Sequence, residues 1–407
     1  MRKNTYRILA EGQLVSNDTW STGLNNNDLI IGPSGAGKTR GYVIPNILQG
    51  NESLIVADTK NSLRGMLEKP LKKKGYKIVS VDFTDCRASS WGYNPFDFIR
   101  YDSDRDAYCE QDIMTVAACL VPVETYSDPF WDLAARMFAE SLIGYVLECL
   151  PESEHTLDSV ETLIVELGGP KIAHLFNELE VLSSKSFALK RYKMFKSCAK
   201  AEKMYSSIIG ILAEKISPLA FDGTSAMYSH CQRISFADLG REKTAVFLNV
   251  SDTDRSLDRL ISLFYTQALH VLCCTADRDC PDHRLPVPVR LMLDDFAANT
   301  TIPDFDKIIS VIRSREIYVS VILQSLSQLE TLYSRAKAMT ILDNFDHLLY
   351  LGGQDVETAR HIGIKANKST CSVLNMPLSS AWLFERGADP RQVEKFRLEA
   401  HEEYRQL

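Results

Sequence analysis

Short apolar runs recur along the chain, each ending in glycine or a polar residue and separated from the next by a stretch of helical character. They are Leu29–Ile31, Leu54–Ala57, Lys77–Val81, Ala245–Val250, Arg290–Leu293, Val319–Leu323 and Leu348–Leu351. Near-continuous apolar character marks strands buried on both faces, which predicts an α/β fold with a mainly parallel sheet covered by helices. Ligands of such sheets sit at the carboxyl ends of strands. There the sequence places the glycine-rich stretch from Gly32, and Asp58, Asp82, Asp294 and Gln324. The first 28 residues are polar and mixed, with one edge strand around Tyr6 to Leu9.

Between Val81 and Ala245 the strand pattern stops. Asp128-Pro129 reads as an N-cap followed by proline in the first turn. Phe130, Ala134, Met137, Phe138, Ser141 and Tyr145 then recur at helical spacing. A second helix is predicted over 157–167, stopped by Gly168-Gly169-Pro170, with others at 171–181, 186–204 and 205–216. The chain thus divides into a first part of a sheet domain (1–97), an inserted all-α domain (98–236) and the second part of the sheet domain (237–407).

Composition narrows the class. Apolar residues make up 45% and charged residues 24% of the 407, the balance of a soluble globular protein with a sizeable core. A net charge of −7 gives no overall attraction to nucleic acid, so any such contact needs a local patch. The ten cysteines include no C-x-x-C pair and read as thiols of a reducing cytoplasm. No run has the length of a membrane span and no signal peptide opens the chain, so a cytoplasmic location is expected.

The stretch Gly32-Pro33-Ser34-Gly35-Ala36-Gly37-Lys38-Thr39, followed by Arg40, matches G-x-x-x-x-G-K-[ST] and follows an apolar strand. Its glycines permit a tight turn whose N–H groups hold phosphate oxygens. Lys38 can then reach the β- and γ-phosphates and the Thr39 hydroxyl can ligate Mg2+, so ATP with magnesium is the expected ligand. The helix expected over Thr39–Leu48 adds its positive end, and Pro45 should kink or shorten it. Val289-Arg-Leu-Met-Leu-Asp294-Asp295 supplies the companion pattern, an apolar strand ending in carboxylates. Asp294 would position the metal and Asp295 would orient the attacking water. Gln324, at the end of another apolar run, can bridge that water and the γ-phosphate. Arg313 and Arg315 precede the same run; each can cap a helix or reach a neighbouring subunit's nucleotide as an arginine finger. Lys193, Lys196, Lys200 and Lys203, spaced for one helical face, are a candidate patch for a partner or DNA and equally a solvated surface. Cys273, Cys274, Cys280 and His283 lie close together but fit no common zinc spacing.

Taken in order, these motifs resemble the cytosolic part of type IV secretion coupling proteins, the TraG/TraD-type ATPases of conjugation related to FtsK–HerA DNA motors. The resemblance rests on Gly32 to Gly41 with Pro45-Asn46, Val56-Ala-Asp-Thr-Lys60, Pro129-Phe-Trp131, Leu293-Asp-Asp-Phe296, Ile322-Leu-Gln-Ser-Leu326 and Leu351-Gly-Gly353. It implies a RecA-like ATPase domain that works as a hexameric ring, with an inserted all-α domain that receives relaxase–DNA or secreted protein. It further implies single-stranded DNA, secretion-channel ATPases and membrane components as partners, at the cytoplasmic face of the bacterial membrane. A nucleotide-controlled receptor platform with weak hydrolysis and a DNA pump outside conjugation are the alternatives. Three departures stand out. Asp294-Asp295 replaces the usual Asp-Glu, and Asp58-Thr-Lys-Asn-Ser62 replaces Asp-Pro-Lys-Gly-Glu. The usual pair of N-terminal membrane helices is missing from the sequence, as in a piece of a longer protein or a chain attached through partners.

Overall fold

All seven apolar runs form strands of one sheet. The computed structural model describes residues 5–124, 127–165, 168–296 and 301–406. In chain order the strands are β1 (Tyr6–Ala10), β2 (Gln13–Ser16), β3 (Asp28–Ile31), β4 (Ser53–Asp58), β5 (Lys77–Asp82), β6 (Tyr101–Asp102) and β7 (Ala107–Tyr108). They continue with β8 (Thr244–Asn249), β9 (Val289–Leu293), β10 (Ile317–Leu323), β11 (His347–Tyr350), β12 (Ser380–Glu385) and β13 (Arg391–Glu394). The nine-stranded sheet has the order β13-β12-β11-β3-β10-β9-β4-β8-β5. From β11 to β5 neighbouring strands are parallel; β12 and β13 add an antiparallel edge. Every residue of β4, β8, β9 and β10 is buried, as strands covered on both faces must be. The edge strand β13, Arg-Gln-Val-Glu, is largely exposed. The N-terminal segment forms a hairpin of β1 and β2 rather than one edge strand.

The chain separates into two compact units, 1–84 with 235–253 and 268–407, and 85–234 with 254–267. The intervening segment leaves and rejoins the sheet on adjacent strands: β5 pairs with β8, and Asn249 donates to Asp82 at 2.8 Å.

The second unit is mostly helical but also holds the ribbon of β6 and β7. Its longest described helix outside the shared one, Phe130–Cys149, buries Ala134, Phe138 and Ser141 as its spacing predicts, while Phe130 is exposed. Phe138 stacks on Phe195 and Phe176 on Tyr192, with ring centroids 4.4 and 4.0 Å apart. Gly168-Gly169-Pro170 does not merely stop a helix. The helix Gly168–Leu182 begins there, since a proline in the first turn loses no intrahelical bond. The two helices predicted over 186–204 and 205–216 are Phe187–Cys198 and Glu202–Ile216, so the break between them falls at 199–201 rather than after 204. The helix Asp258–Asp279 passes from the second unit to the first. It is long and apolar enough to cross a membrane, yet most of its apolar stretch is buried within the protein.

At the amino ends of the sheet strands of the first unit, a charge network is buried almost completely. Asp28, the first residue of β3, accepts from both Nε and Nη2 of Arg7, at 2.7 and 3.0 Å, and from the Tyr42 hydroxyl at 2.5 Å. Arg290 on β9 donates to both oxygens of Glu52, at 2.6 and 3.1 Å, and to Ser320 on β10 at 3.0 Å. Two arginines and two carboxylates cancel. Burial opposes ionisation of Asp28, but Arg7 and Arg290 outweigh it and hold its carboxyl below the ordinary value. His347, whose Nδ1 lies 3.4 Å from Asp28, is pushed down by burial and stays neutral.

Candidate functional site

The apolar strand β3 delivers the chain to Gly32, whose N–H donates to the Leu323 carbonyl of β10 at 3.0 Å. A Cβ at Gly32 would stand 2.9 Å from that of Leu351, so only glycine fits. Gly35 and Gly37 have φ of 78° and 94°, left-handed values that cost other residues energy. The loop stretch Pro33–Gly35 is exposed, while Lys38 is buried. Its ammonium donates to the carbonyls of Gly32 at 2.8 Å and Pro33 at 3.1 Å. Burial draws its pKa down, and the nearby charges of Asp295 and Asp294 oppose that. Lys38 thus rests on loop carbonyls, contacts that a phosphate's charge would outbid.

After the loop comes one π-helical turn, Thr39–Val43, in which the Ile44 N–H reaches back to the Thr39 carbonyl. The α-helix Ile44–Gln49 follows. Pro45 has no N–H to give to a carbonyl four residues back, and the wider turn accommodates that gap. The same turn buries Tyr42, whose hydroxyl joins the Asp28 network.

Three strands assemble the rest. In the sheet β10 lies between β3 and β9, with Leu323 in register with Ile31 and Val321 with Leu293. Gln324 therefore emerges beside Gly32, and Asp294 one strand further on. The Thr39 hydroxyl donates to Asp294 Oδ2 at 2.8 Å. Burial, with the Asp295 carboxylate adding to it, raises the Asp294 pKa, while Thr39 and Lys38 lower it. Asp295 takes the left-handed φ of 48°, and its N–H donates to Asp294 Oδ1 at 3.1 Å. A hydroxyl and a carboxylate in contact, flanked by a second carboxylate, suit Mg2+, which binds through one or two protein oxygens plus water and phosphate. Gln324 is exposed, with its N–H bonded to Gln328. Leu351-Gly352-Gly353 lines the opposite flank: the Leu351 N–H donates to Ile31 at 2.7 Å.

Other candidates lie elsewhere. Arg313 and Arg315 precede β10, at the amino end of the sheet, and so cannot serve the phosphates of their own chain. Arg313 donates to the Thr19 carbonyl at 3.0 Å, and Arg315 grips Asp277 through two bonds. The four lysines do not share one helical face. Lys193 and Lys196 belong to Phe187–Cys198, Lys200 to the following loop and Lys203 to Glu202–Ile216. Lys193 pairs with Glu180, and Lys196 lies 5.0 Å from the Tyr205 ring centre. Asp58 caps the helix Leu63–Lys73, accepting from the N–H groups of Ser62 and Leu63 at 3.1 and 2.7 Å. Cys274 contacts His270, and His283 binds the Asp277 carbonyl. Among the described residues no three His, Cys, Asp or Glu side chains converge as a protein-held metal requires. Sequence reasoning missed Arg7, Asp28, Tyr42 and Arg290, because a charge in an apolar strand signals nothing until its distant partner is known.

Comparison with known proteins places this geometry. Protein VirD4 of Rhizobium radiobacter is 24% identical over 369 residues, covering 90% of this chain and 51% of that protein. Protein VirD4 of Agrobacterium fabrum is also 24% identical, over 371 residues, covering 90% and 53%. The chain thus spans about half the length of these relatives. Among solved structures, the unbound bacterial conjugative coupling protein TrwBdeltaN70 superposes with a TM-score of 0.72 at 16% identity, over 97% of this chain and 89% of that one. The plasmid coupling protein TrwB in complex with the non-hydrolysable ATP analogue ADPNP gives the same TM-score and identity, over 97% and 90%. VirB4 of Thermoanaerobacter pseudethanolicus matches at 0.55, with 14% identity and 96% of both chains covered. At such identities the likeness establishes the fold, a RecA-like P-loop architecture. The sequence model described as type IV secretory system conjugative DNA transfer matches residues 3–387, and on that match the chain belongs to this family.

Proposed function

We propose that the chain is the ATP-hydrolysing part of a conjugative coupling protein, which receives relaxase–DNA or protein substrate and drives its transfer as a hexameric ring at the cytoplasmic face of the membrane. The observation that carries the proposal is the meeting of Lys38, Thr39 and Asp294 at the end of β3, with Gln324 on the adjacent strand. The TrwB structures in complex with ADPNP and with ADP and Mg2+ support ATP with magnesium as the ligand.

The Gly32–Thr39 backbone would hold the phosphates, and Lys38 would exchange its carbonyl contacts for the β- and γ-oxygens. Thr39 and Asp294 would hold a magnesium ion, whose charge offsets that of the phosphates. Asp295 would orient the attacking water and accept its proton, and Gln324 would hold that water in line. Arg313 would serve the neighbouring subunit's γ-phosphate. The family's description, conjugative DNA transfer by a type IV secretory system, supports DNA and secretion-system components as partners, and within that class the proposal takes single-stranded DNA and secretion-channel ATPases. The test is ATP turnover with and without single-stranded DNA across protein concentration. Turnover that rises with both supports the ring motor, and none at any concentration refutes it.

One observation favours a second reading. Asp295 is one methylene shorter than the family's glutamate, which suits a nucleotide-gated receptor that hydrolyses slowly. Asp295→Glu should then raise turnover.

A further inference from the structure

The strand β3 is flanked by β10 and β11, and the segments that leave those two strands are bonded to each other. On the β11 side, Gly352-Gly353 turns the chain along the P-loop, where a Cβ on Gly353 would stand 3.7 Å from Pro33 Cδ. Asp355 then caps the helix Val356–Ala366, accepting from the Thr358 N–H at 2.9 Å. On the β10 side, Gln324 is followed by Ser325 and the helix Leu326–Leu332. Gln328 of that helix holds the Gln324 N–H through Oε1 at 2.9 Å.

The helix behind Gln324 does not cap itself. Ser325 occupies its N-cap position in extended conformation, yet its side chain accepts from no N–H of the first turn. The cap comes from the other arm. The Leu326 N–H donates to Thr358 Oγ1 at 2.9 Å, and that hydroxyl in turn donates to Asp355 Oδ2 at 2.5 Å. Ser327 Oγ reaches the same carboxylate, 3.2 and 3.1 Å from its two oxygens. Capping its own helix asks of Asp355 only the Thr358 N–H. The Ser327 bond serves the arm that carries Gln324, and a hydroxyl-to-carboxylate bond is stronger than one between neutral groups. Leu326 and Thr358 are buried, so water offers no substitute for the bond between them.

We infer that Asp355, Thr358 and Ser327 are positioning residues that hold Gln324 at the γ-phosphate end of the P-loop. The inference rests on the role given to Gln324 above. Gln324 is exposed, and a side chain facing solvent orients a water only if its backbone is fixed. The clasp supplies that fixity from across β3. Because its β11 arm lies against Pro33, loop and glutamine keep one spacing.

The experiment measures ATP turnover and nucleotide affinity of the full chain and of Ser327→Ala, Thr358→Val and Thr358→Ser. Ser327→Ala and Thr358→Val should each lower kcat about tenfold, with nucleotide affinity changed less than about twofold. Thr358→Ser keeps the hydroxyl and should stay within about twofold of the wild type. A role confined to folding would lower the melting temperature and leave the kcat of folded protein unchanged, and that result overturns the inference. If Thr358→Val does not fold, Ser327→Ala, which removes one half-buried hydroxyl, decides alone. A second readout places Ser327→Ala in a Gln324→Ala chain. A clasp that acts through the glutamine should then cost less than about twofold more. A further tenfold loss there, in a chain whose turnover still depends on Lys38, overturns the clasp and spares the P-loop reading. Full turnover in Gln324→Ala alone overturns the clasp as well. Turnover that Lys38→Ala leaves unchanged overturns the P-loop reading itself, and with it the role of Gln324.

Discussion

The two ends of the one sheet bury charge on opposite terms. At the amino ends, Arg7, Arg290, Asp28 and Glu52 find each other and cancel, with Tyr42 and Ser320 adding hydrogen bonds and His347 Nδ1 lying 3.4 Å from Arg7. At the carboxyl ends, Lys38 rests on two carbonyls, and Asp294 and Asp295 stand side by side with burial raising the pKa of the first. Burial is expensive for any ion, and partner choice decides whether the expense is settled within the fold or left for a ligand. The amino end is therefore read as structure and the carboxyl end as a site.

Lys38→Ala is the severest test. Hydrolysis should vanish and nucleotide binding weaken roughly 10- to 100-fold, the worth of one charge-assisted contact, as measured by turnover and titration. The melting temperature should hold or rise, because the lysine's described hydrogen bonds go to two backbone carbonyls and not to a carboxylate. A large loss of stability would erase the contrast between the two ends.

Arg313→Ala asks whether the amino end is purely structural. If Arg313 serves a neighbour's γ-phosphate, hydrolysis should fall about 10³-fold with nucleotide binding nearly intact. Mixing this variant with Lys38→Ala protein should then restore some turnover, since mixed interfaces pair an intact loop with an intact arginine. Arg315→Ala is the parallel control. Full activity in both arginine variants would leave the amino end entirely to the fold.

Asp28→Asn should do the reverse of Lys38→Ala. It strands two buried arginines with one carboxylate, at a cost of about 3–5 kcal/mol in chemical denaturation, while the folded molecules keep their nucleotide affinity. A cost below about 1 kcal/mol would mean that the network relaxes or admits water.

The smallest effect concerns acid. His347 has its pKa lowered from 6.5 by burial, with Asp28, Glu385 and Asp346 opposing and Arg7 reinforcing. The unfolded chain therefore takes up this proton first. The contribution of His347 to stability is complete above pH 6.5 and declines as pH falls below it, until the folded group is protonated too. His347→Gln should flatten the stability profile just below pH 6.5 relative to the wild type. Parallel profiles would place the acid sensitivity elsewhere.

What sequence could reveal follows the same physics. The parallel strands were legible because burial on both faces writes an unbroken apolar run, and the loop because its glycines, lysine and threonine act within eight residues. β13 was missed because it is polar and exposed, whereas β12 was missed although its Ala381–Phe384 run is apolar and buried. The break at Ala199–Ala201 carries neither glycine nor proline, so the lysine face looked continuous when it was not. The hydrogen bond from Arg290 to Asp28 joins residues 262 positions apart, a distance over which no local pattern extends.

The place of β3 between β10 and β11 also sets a schedule. The strand that launches the P-loop pairs on one side with Ser320–Leu323 and on the other with His347–Tyr350. During synthesis it must wait for nearly the whole chain, which at 5–20 residues per second is roughly 15–60 s. Throughout that interval an apolar strand has both its edges unpaired, open to non-native pairing or to a chaperone. Nascent fragments that end before Ser320 therefore carry every residue of the loop and still lack the strands that shape it.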